Sequence, residues 1–207
     1  MSRDLAGKVD RSRAWFARLL ESRPGERRNY ARLSGWRVPA GYLFGVLSLF
    51  LAVPPTRKSI AIGLPIALLG EVLRVWASGH IDKTESLATG GPYAYSRNPL
   101  YLGSLMICLG LAAALGSLVA VVVAVYFVVF YPSVMREESD FLRRRFQEEY
   151  AMWAKAVPMF MPRLTPGGPR GTRFSWRRVR RNLEWRTVAA VLGVAVLLIS
   201  WSVLRRG

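Results

Sequence analysis

A single cysteine, Cys108, and a single histidine, His80, limit the chemistry this chain can carry. One thiol cannot close an intrachain disulfide, and one imidazole cannot build a multi-histidine centre, so no metal is expected. Acidic residues are scarce too. Among 207 residues, 13 Asp and Glu stand against 30 Lys and Arg, a formal charge of +17. In a soluble chain that imbalance would point to nucleic acid. Here 52% of the residues are hydrophobic and gather in long runs poor in charge, a pattern that belongs in a bilayer. No nucleic-acid partner is therefore expected. The Lys and Arg residues read as topology signals and as contacts for anionic lipid headgroups. The first apolar run starts near Val38, behind a long basic arm, so no signal peptide is expected. Cys108 lies in an apolar run and reads as packing.

In the arm, residues 1–37, Trp15, Phe16, Leu19 and Leu20 are spaced for an amphipathic helix among Arg11, Arg13, Arg18 and Arg23. That predicts an interfacial helix on the cytoplasmic leaflet. A membrane core is expected over 38–162, with spans at 38–53, 60–78, 99–115 and 118–134 and then a polar-faced helix over 136–154. Gly116-Ser117 leaves room only for a hairpin turn, so the third and fourth spans are antiparallel neighbours. Pro132 is expected to kink the fourth. Residues 163–184 read as a basic linker and 185–207 as a fifth span, with Trp185 and Trp201 as interface anchors. The fold class is thus an all-α integral membrane protein with about five transmembrane helices. Ten Lys and Arg lie in the arm and nine over 155–186, against Arg57 and Lys58 alone in the opposite turns. That asymmetry puts the N-terminus and the 80–98 loop in the cytoplasm.

The most informative stretch is 90–103, GGPYAYSRNPLYLG. It is polar, aromatic and rich in turn residues, yet it sits between two apolar segments. Asn98-Pro99 reads as a helix start, with Asn as N-cap and Pro at the first helical position. Free N–H groups there, beside the fixed charge of Arg97, make a site for an anion. Further on, Glu138, Leu142, Phe146, Tyr150 and Trp153 recur at helical steps and share one stripe. A carboxylate on an apolar stripe must be paired or bind something. Glu138 is therefore expected to point inward, and Glu137 toward solvent. Glu71 falls inside the second span, where an ionisable group is a functional candidate by default. Arg74, three residues on, is its expected partner.

Arg97-Asn98-Pro99-Leu100-Tyr101-Leu102-Gly103 resembles the R-H-P-x-Y-x-G motif of the integral-membrane methyltransferases. That superfamily holds isoprenylcysteine carboxyl methyltransferases and phospholipid N-methyltransferases. Downstream, Glu137-Glu138, Phe146-Gln147-Glu148-Glu149-Tyr150 and Val157-Pro158 resemble its Glu-Glu pair, F-G-x-x-Y segment and final V-P. Asn98 stands in place of the usual His, and Gln147 in place of the usual Gly. The resemblance implies S-adenosylmethionine as cofactor, on the cytoplasmic side. It carries cofactor contact onto Glu137, Glu138, Tyr93, Asn98, Pro99, Leu100 and Tyr101, and onto Glu85, Ser86, Leu87 and Ala88. On this reading Arg97 and the helix-start amides hold the cofactor's carboxylate. Tyr93 or Tyr101 flanks the adenine or the sulfonium.

The implied reaction is methyl transfer to a membrane lipid or lipidated substrate, with Glu71, Arg74 and Arg136 as candidates on the acceptor side. In the isoprenylcysteine enzymes an arginine one helical turn before the cofactor glutamate helps to hold the substrate's carboxylate. Four residues before Glu138 and Glu137 stand Val134 and Ser133, neither cationic. Arg74 or Arg136 would have to substitute, so an amine lipid is favoured over a prenylcysteine carboxylate. Two other readings stay open. Sterol reductases share a similar R-H-P-N-Y motif and use NADPH, and a non-enzymatic protein binding anionic lipid would share the basic charge. The Glu-Glu pair favours the methyltransferase.

Overall fold

The computed structural model describes residues 36, 39–48, 50–82, 86–168 and 171–204. The expected interfacial helix, Glu85 and Arg205-Arg206 lie outside them. Regular structure among the described residues is helical, apart from an isolated bridge between Asp82 and Ser86. The elements are α1 (39–48), α2 (Arg57–Ser78), a 3-10 turn (Gly91–Ala94), α3 (Pro99–Leu115), α4 (Ser117–Ala156), α5 (Trp176–Arg181) and α6 (Trp185–Leu204).

Three of these, α2, α4 from Leu118, and α6, are long and apolar enough to cross a membrane. The five spans read from the sequence thus resolve into three helices of spanning length, the 17-residue α3 and the short α1. Leu69, Val72, Val128, Val196 and Leu197 expose apolar side chains on the outer faces, as lipid contact requires. α2 begins in a capping box: Ser59 N donates to Thr56 Oγ1 and Thr56 N to Ser59 Oγ.

α2 and α3 pack antiparallel, backbone to backbone. Gly63, Ala67 and Gly70 on α2 face Gly103, Ile107 and Gly110 on α3. A Cβ on Gly70 would lie 2.6 Å from the Gly103 carbonyl oxygen, and one on Gly103 would lie 2.7 Å from that of Gly70. Small residues two helical turns apart let the helices approach closely, which is how apolar helices gain contact in lipid. The expected hairpin between α3 and α4 turns at Gly116, whose φ of 122° suits glycine alone.

α4 departs from the sequence reading. The apolar span and the polar-faced helix join into one element of 40 residues, about 60 Å long at 1.5 Å per residue. It therefore outruns a bilayer and carries its polar half beyond it. Pro132 is accommodated within helical backbone, and the break falls at Gln147, with φ 44° and ψ −111°. This is the position where the methyltransferase motif carries glycine, and its backbone is of the kind that favours glycine. Gln147→Gly is accordingly expected to stabilise the protein by about 1 kcal/mol, since such strain costs roughly 1–3 kcal/mol. Thermal unfolding in nanodiscs checks this, with Gln147→Ala as the control that keeps the strain. An unchanged or lower midpoint for the glycine variant would count against it.

The described residues bury apolar side chains at two levels. At the end carrying the 80–98 loop, Ala77, Leu87, Tyr93, Tyr150, Trp153 and Val157 form a core. At the other end Ile60, Ala114 and Leu198 join α2, α3 and α6. Residues 163–184, expected as a linker, are laced across the loop. Arg163 N donates to Tyr95 O (3.0 Å), Gly167 N to Ala94 O (2.8 Å) and Ser175 N to Gly79 O (3.0 Å). Asn182 Nδ2 reaches Ser78 O at 2.9 Å.

Candidate functional site

The two sequence motifs interlock. Arg97 N donates to Pro158 O (2.9 Å), Asn98 Nδ2 to Met159 O (2.8 Å) and Ser96 Oγ to Phe160 O (2.7 Å). Three neighbouring residues of the loop thus hold three neighbouring carbonyls behind α4. Arg97 Nη1 also donates to the Tyr150 hydroxyl at 2.8 Å, and Trp153 Nε1 to Tyr93 O at 3.0 Å. The order of the motifs along the chain is therefore a spatial pairing.

Asn98 occupies the N-cap position and Pro99 the first turn, as expected, but the Asn98 side chain does not cap. Its buried amide satisfies itself on Met159 instead, because a buried donor without an acceptor costs about 1–3 kcal/mol. The first turn of α3 is thus left without a side-chain cap among the described residues. Arg97 Nε is buried and without a hydrogen-bond partner among the described residues. An unmet cationic donor beside an uncapped helix start has the chemistry for a carboxylate.

Tyr93 is the buried centre of this region. Burial, with the Glu138 carboxylate adding to it, pushes its phenol well above the usual range, so the hydroxyl stays protonated. The fields of Tyr101, Glu184 and Arg74 also reach it. Groups from the loop, α2, α3, α4 and the start of α6 therefore converge there. Tyr101 packs edge-on to Tyr131 with ring centroids 5.2 Å apart. Leu87 belongs to the surrounding core, Ala88 and Leu100 pack against it, Pro99 is fully buried, and Ser86 bridges to Asp82.

Glu138 corrects the stripe. It is exposed, as are Glu137 and Arg136, and the buried residue of that turn is Ser139. Leu142, Phe146, Tyr150 and Trp153 do share a core. The break at Gln147 lies between Phe146 and Tyr150. Glu138 stands on unbroken helix with Leu142 and Phe146, and it is exposed because that core reaches no further back along α4 than Leu142. Glu138 nonetheless bears on the site, since its charge acts on Tyr93.

The expected pair of Glu71 with Arg74 is also replaced. Arg74 Nε meets Glu184 Oε1 at 2.7 Å, and the guanidinium donates to Ser104 Oγ as well. Glu71, one turn earlier, is buried with neither oxygen hydrogen-bonded among the described residues. Both carboxylates are buried, and the one that the chain brings onto the guanidinium is Glu184. It is delivered by a turn in which Leu183 adopts φ 58°. Sequence reasoning missed Glu184, although one signal was present: it is the only acidic residue after Glu149. Asp82 was missed as well. It pairs with Arg178 and Arg181, and the Arg181 hydrogen bond holds its carboxyl below the usual range.

A family model described as phospholipid methyltransferase matches residues 59–149, from α2 through the loop and α3 into the polar half of α4. The cobalt-zinc-cadmium resistance protein CzcN of Cupriavidus metallidurans is 40% identical over 107 residues, 50% of this chain and 48% of that protein. The nickel-cobalt-cadmium resistance protein NccN of Alcaligenes xylosoxydans xylosoxydans is 34% identical over 109 residues, 51% of each. The chain spans about half the length of these curated relatives. No solved structure matches it. The loop side of the interlock, Tyr93 and Ser96 to Asn98, lies inside the matched segment, and its partners at 150, 153 and 158–160 lie just beyond it. Residues 59–149 carry a phospholipid methyltransferase domain of the integral-membrane methyltransferase superfamily.

Proposed function

We propose that the protein transfers a methyl group from S-adenosylmethionine to a lipidic acceptor in the membrane, an amine lipid in preference to a prenylcysteine carboxylate. The observation that carries this reading is the orphaned Arg97 Nε beside the uncapped start of α3. Arg97 and the first-turn amides would hold the cofactor's carboxylate. Glu138, with Glu137, would take its ammonium or ribose hydroxyls, and Tyr93 and Tyr101 would flank its adenine or sulfonium. The bound cofactor supplies an electrophilic methyl group. Because that group is already activated, the chain contributes mainly by positioning. The interlock of Ser96, Arg97 and Asn98 with residues 158–160 is what holds the loop rigid for that task.

The acceptor preference follows from the cations. Val134 and Ser133 are buried and uncharged, Arg136 is exposed, and Arg74 is committed to Glu184. A buried substrate carboxylate would thus lack a counter-ion, whereas the neutral form of an amine needs none. The loop end carries the basic run of α5, which supports a cytoplasmic placement and contact with anionic lipid.

Calorimetry in detergent and nanodiscs tests the reading. S-adenosylhomocysteine should bind and NADPH should not, and Glu138→Gln should weaken binding roughly 10- to 100-fold. Binding of NADPH alone would favour a reductase. Binding of neither would remove the enzyme reading.

A further inference from the structure

We infer that Glu71 is the base on the acceptor side: a buried carboxylate that pairs with the ammonium of an amine acceptor and takes its proton before methyl transfer. The inference rests on the methyl-transfer reading above and assigns a role within it. Glu71 is 6% exposed, and both its oxygens are buried without a hydrogen-bond partner among the described residues. Burying a carboxylate in that state is costly unless something pairs with it. The guanidinium nearest in sequence is already engaged, by Glu184 at 2.7 Å and by Ser104. Glu71, Arg74 and Glu184 lie within one another's electrostatic reach. Two carboxylates and one guanidinium leave a formal surplus of one negative charge. The complement of that surplus is a single cation.

Position argues the same way. Arg74 and Glu184 act on Tyr93, and Glu71 lies one turn further along α2 from the loop. It sits seven residues from the end of α2 at Ser78, about 10 Å at 1.5 Å per residue. A lipid headgroup dipping from the loop end can reach that depth. An ammonium nitrogen has no lone pair and cannot attack a methyl group. At Glu71 its N–H bond breaks, the proton forms an O–H bond on the carboxylate, and the bonding pair stays on nitrogen. An ammonium and a carboxylate become an amine and a carboxylic acid, with atoms and charge conserved. The change replaces two opposite charges by two neutral groups, which a low-dielectric site favours. The freed pair on nitrogen is then the nucleophile.

The test uses the full chain in nanodiscs of phosphatidylcholine, a lipid without a primary amine. Lipophilic carbodiimide modification of Glu71 is followed by peptide mass spectrometry. Dodecyltrimethylammonium, which cannot itself react, should suppress labelling about tenfold or more, and dodecanol should not. In nanodiscs containing phosphatidylethanolamine, Glu71→Gln should lower methyl transfer about 100-fold near neutral pH, with the residual rate rising as alkali frees the amine. Its S-adenosylhomocysteine affinity should match the wild type, and its thermal midpoint should be equal or higher, since an unpaired buried charge is removed. Labelling unaffected by the cation, or a Glu71→Gln rate and pH profile like the wild type, overturns the inference while leaving the methyltransferase reading intact. Absence of S-adenosylhomocysteine binding by the wild type overturns that reading and this inference with it.

Discussion

Arg74→Met should destabilise the protein by about 3–5 kcal/mol, the cost of stripping one partner from a buried ion pair. Arg74 is the cation shared by Glu184 and Ser104, and the side chains of the Arg74–Glu184 pair are only 19% and 6% exposed. Without it, Glu184 and Glu71 become two buried carboxylates within reach of each other. Both must then be protonated or hydrated, and either change loosens the junction of α2 with the start of α6. Removing the pair together should cost much less than the sum of the single changes, because the stranded charge is removed as well. Thermal unfolding of Arg74→Met, Glu184→Leu and the double variant in nanodiscs closes the cycle. Single changes that each cost under about 1 kcal/mol and simply add would show the pair to be a solvated surface bridge.

What could be read from the sequence was local, and what could not was remote. Asn98-Pro99 announces the start of α3, and Gly116 announces the hairpin, because capping and turn chemistry act between neighbouring residues. The motif pairing was readable as order along the chain. Its cause, three loop donors on the carbonyls of residues 158–160, was not, because the contacts cross some sixty positions. The error on Glu138 is one of extent: a stripe assumes a core along its whole length, and the core that takes Leu142 and Phe146 does not reach Glu138. The error on Arg74 is one of distance. Glu71 at three positions was a visible partner, while Glu184, 110 positions away, becomes one only when α6 folds back on α2. Residues 163–184 looked like a tether because proline, glycine and arginine are read as solvated. Their backbone N–H groups instead complete the loop that carries Tyr93.

The glycine seam between α2 and α3 leads to the other large effect. Gly110→Leu should cost about 3 kcal/mol or more and lower the yield of folded protein. Overpacking a tight core typically costs 1–3 kcal/mol, and more where nothing can yield. Here nothing can: a Cβ on Gly110 would stand 2.5 Å from both the Gly63 carbonyl oxygen and the Ala67 nitrogen, which are backbone atoms of a packed helix. Gly193→Leu is the matched control, since a Cβ there meets nothing within 4 Å. It should shift stability by no more than about 0.5 kcal/mol. Equal thermal midpoints for the two variants in nanodiscs would mean that the helices do not meet along this seam. The consequence reaches the site, because the same seam continues through Gly103, where a Cβ would touch the Arg74 side chain. Pushing α3 off α2 separates Ser104 from Arg74, and with it the start of α3 from the α2 groups that act on Tyr93. Gly110→Leu protein that survives purification should therefore bind S-adenosylhomocysteine more weakly than Gly193→Leu protein, although neither residue lies at the loop.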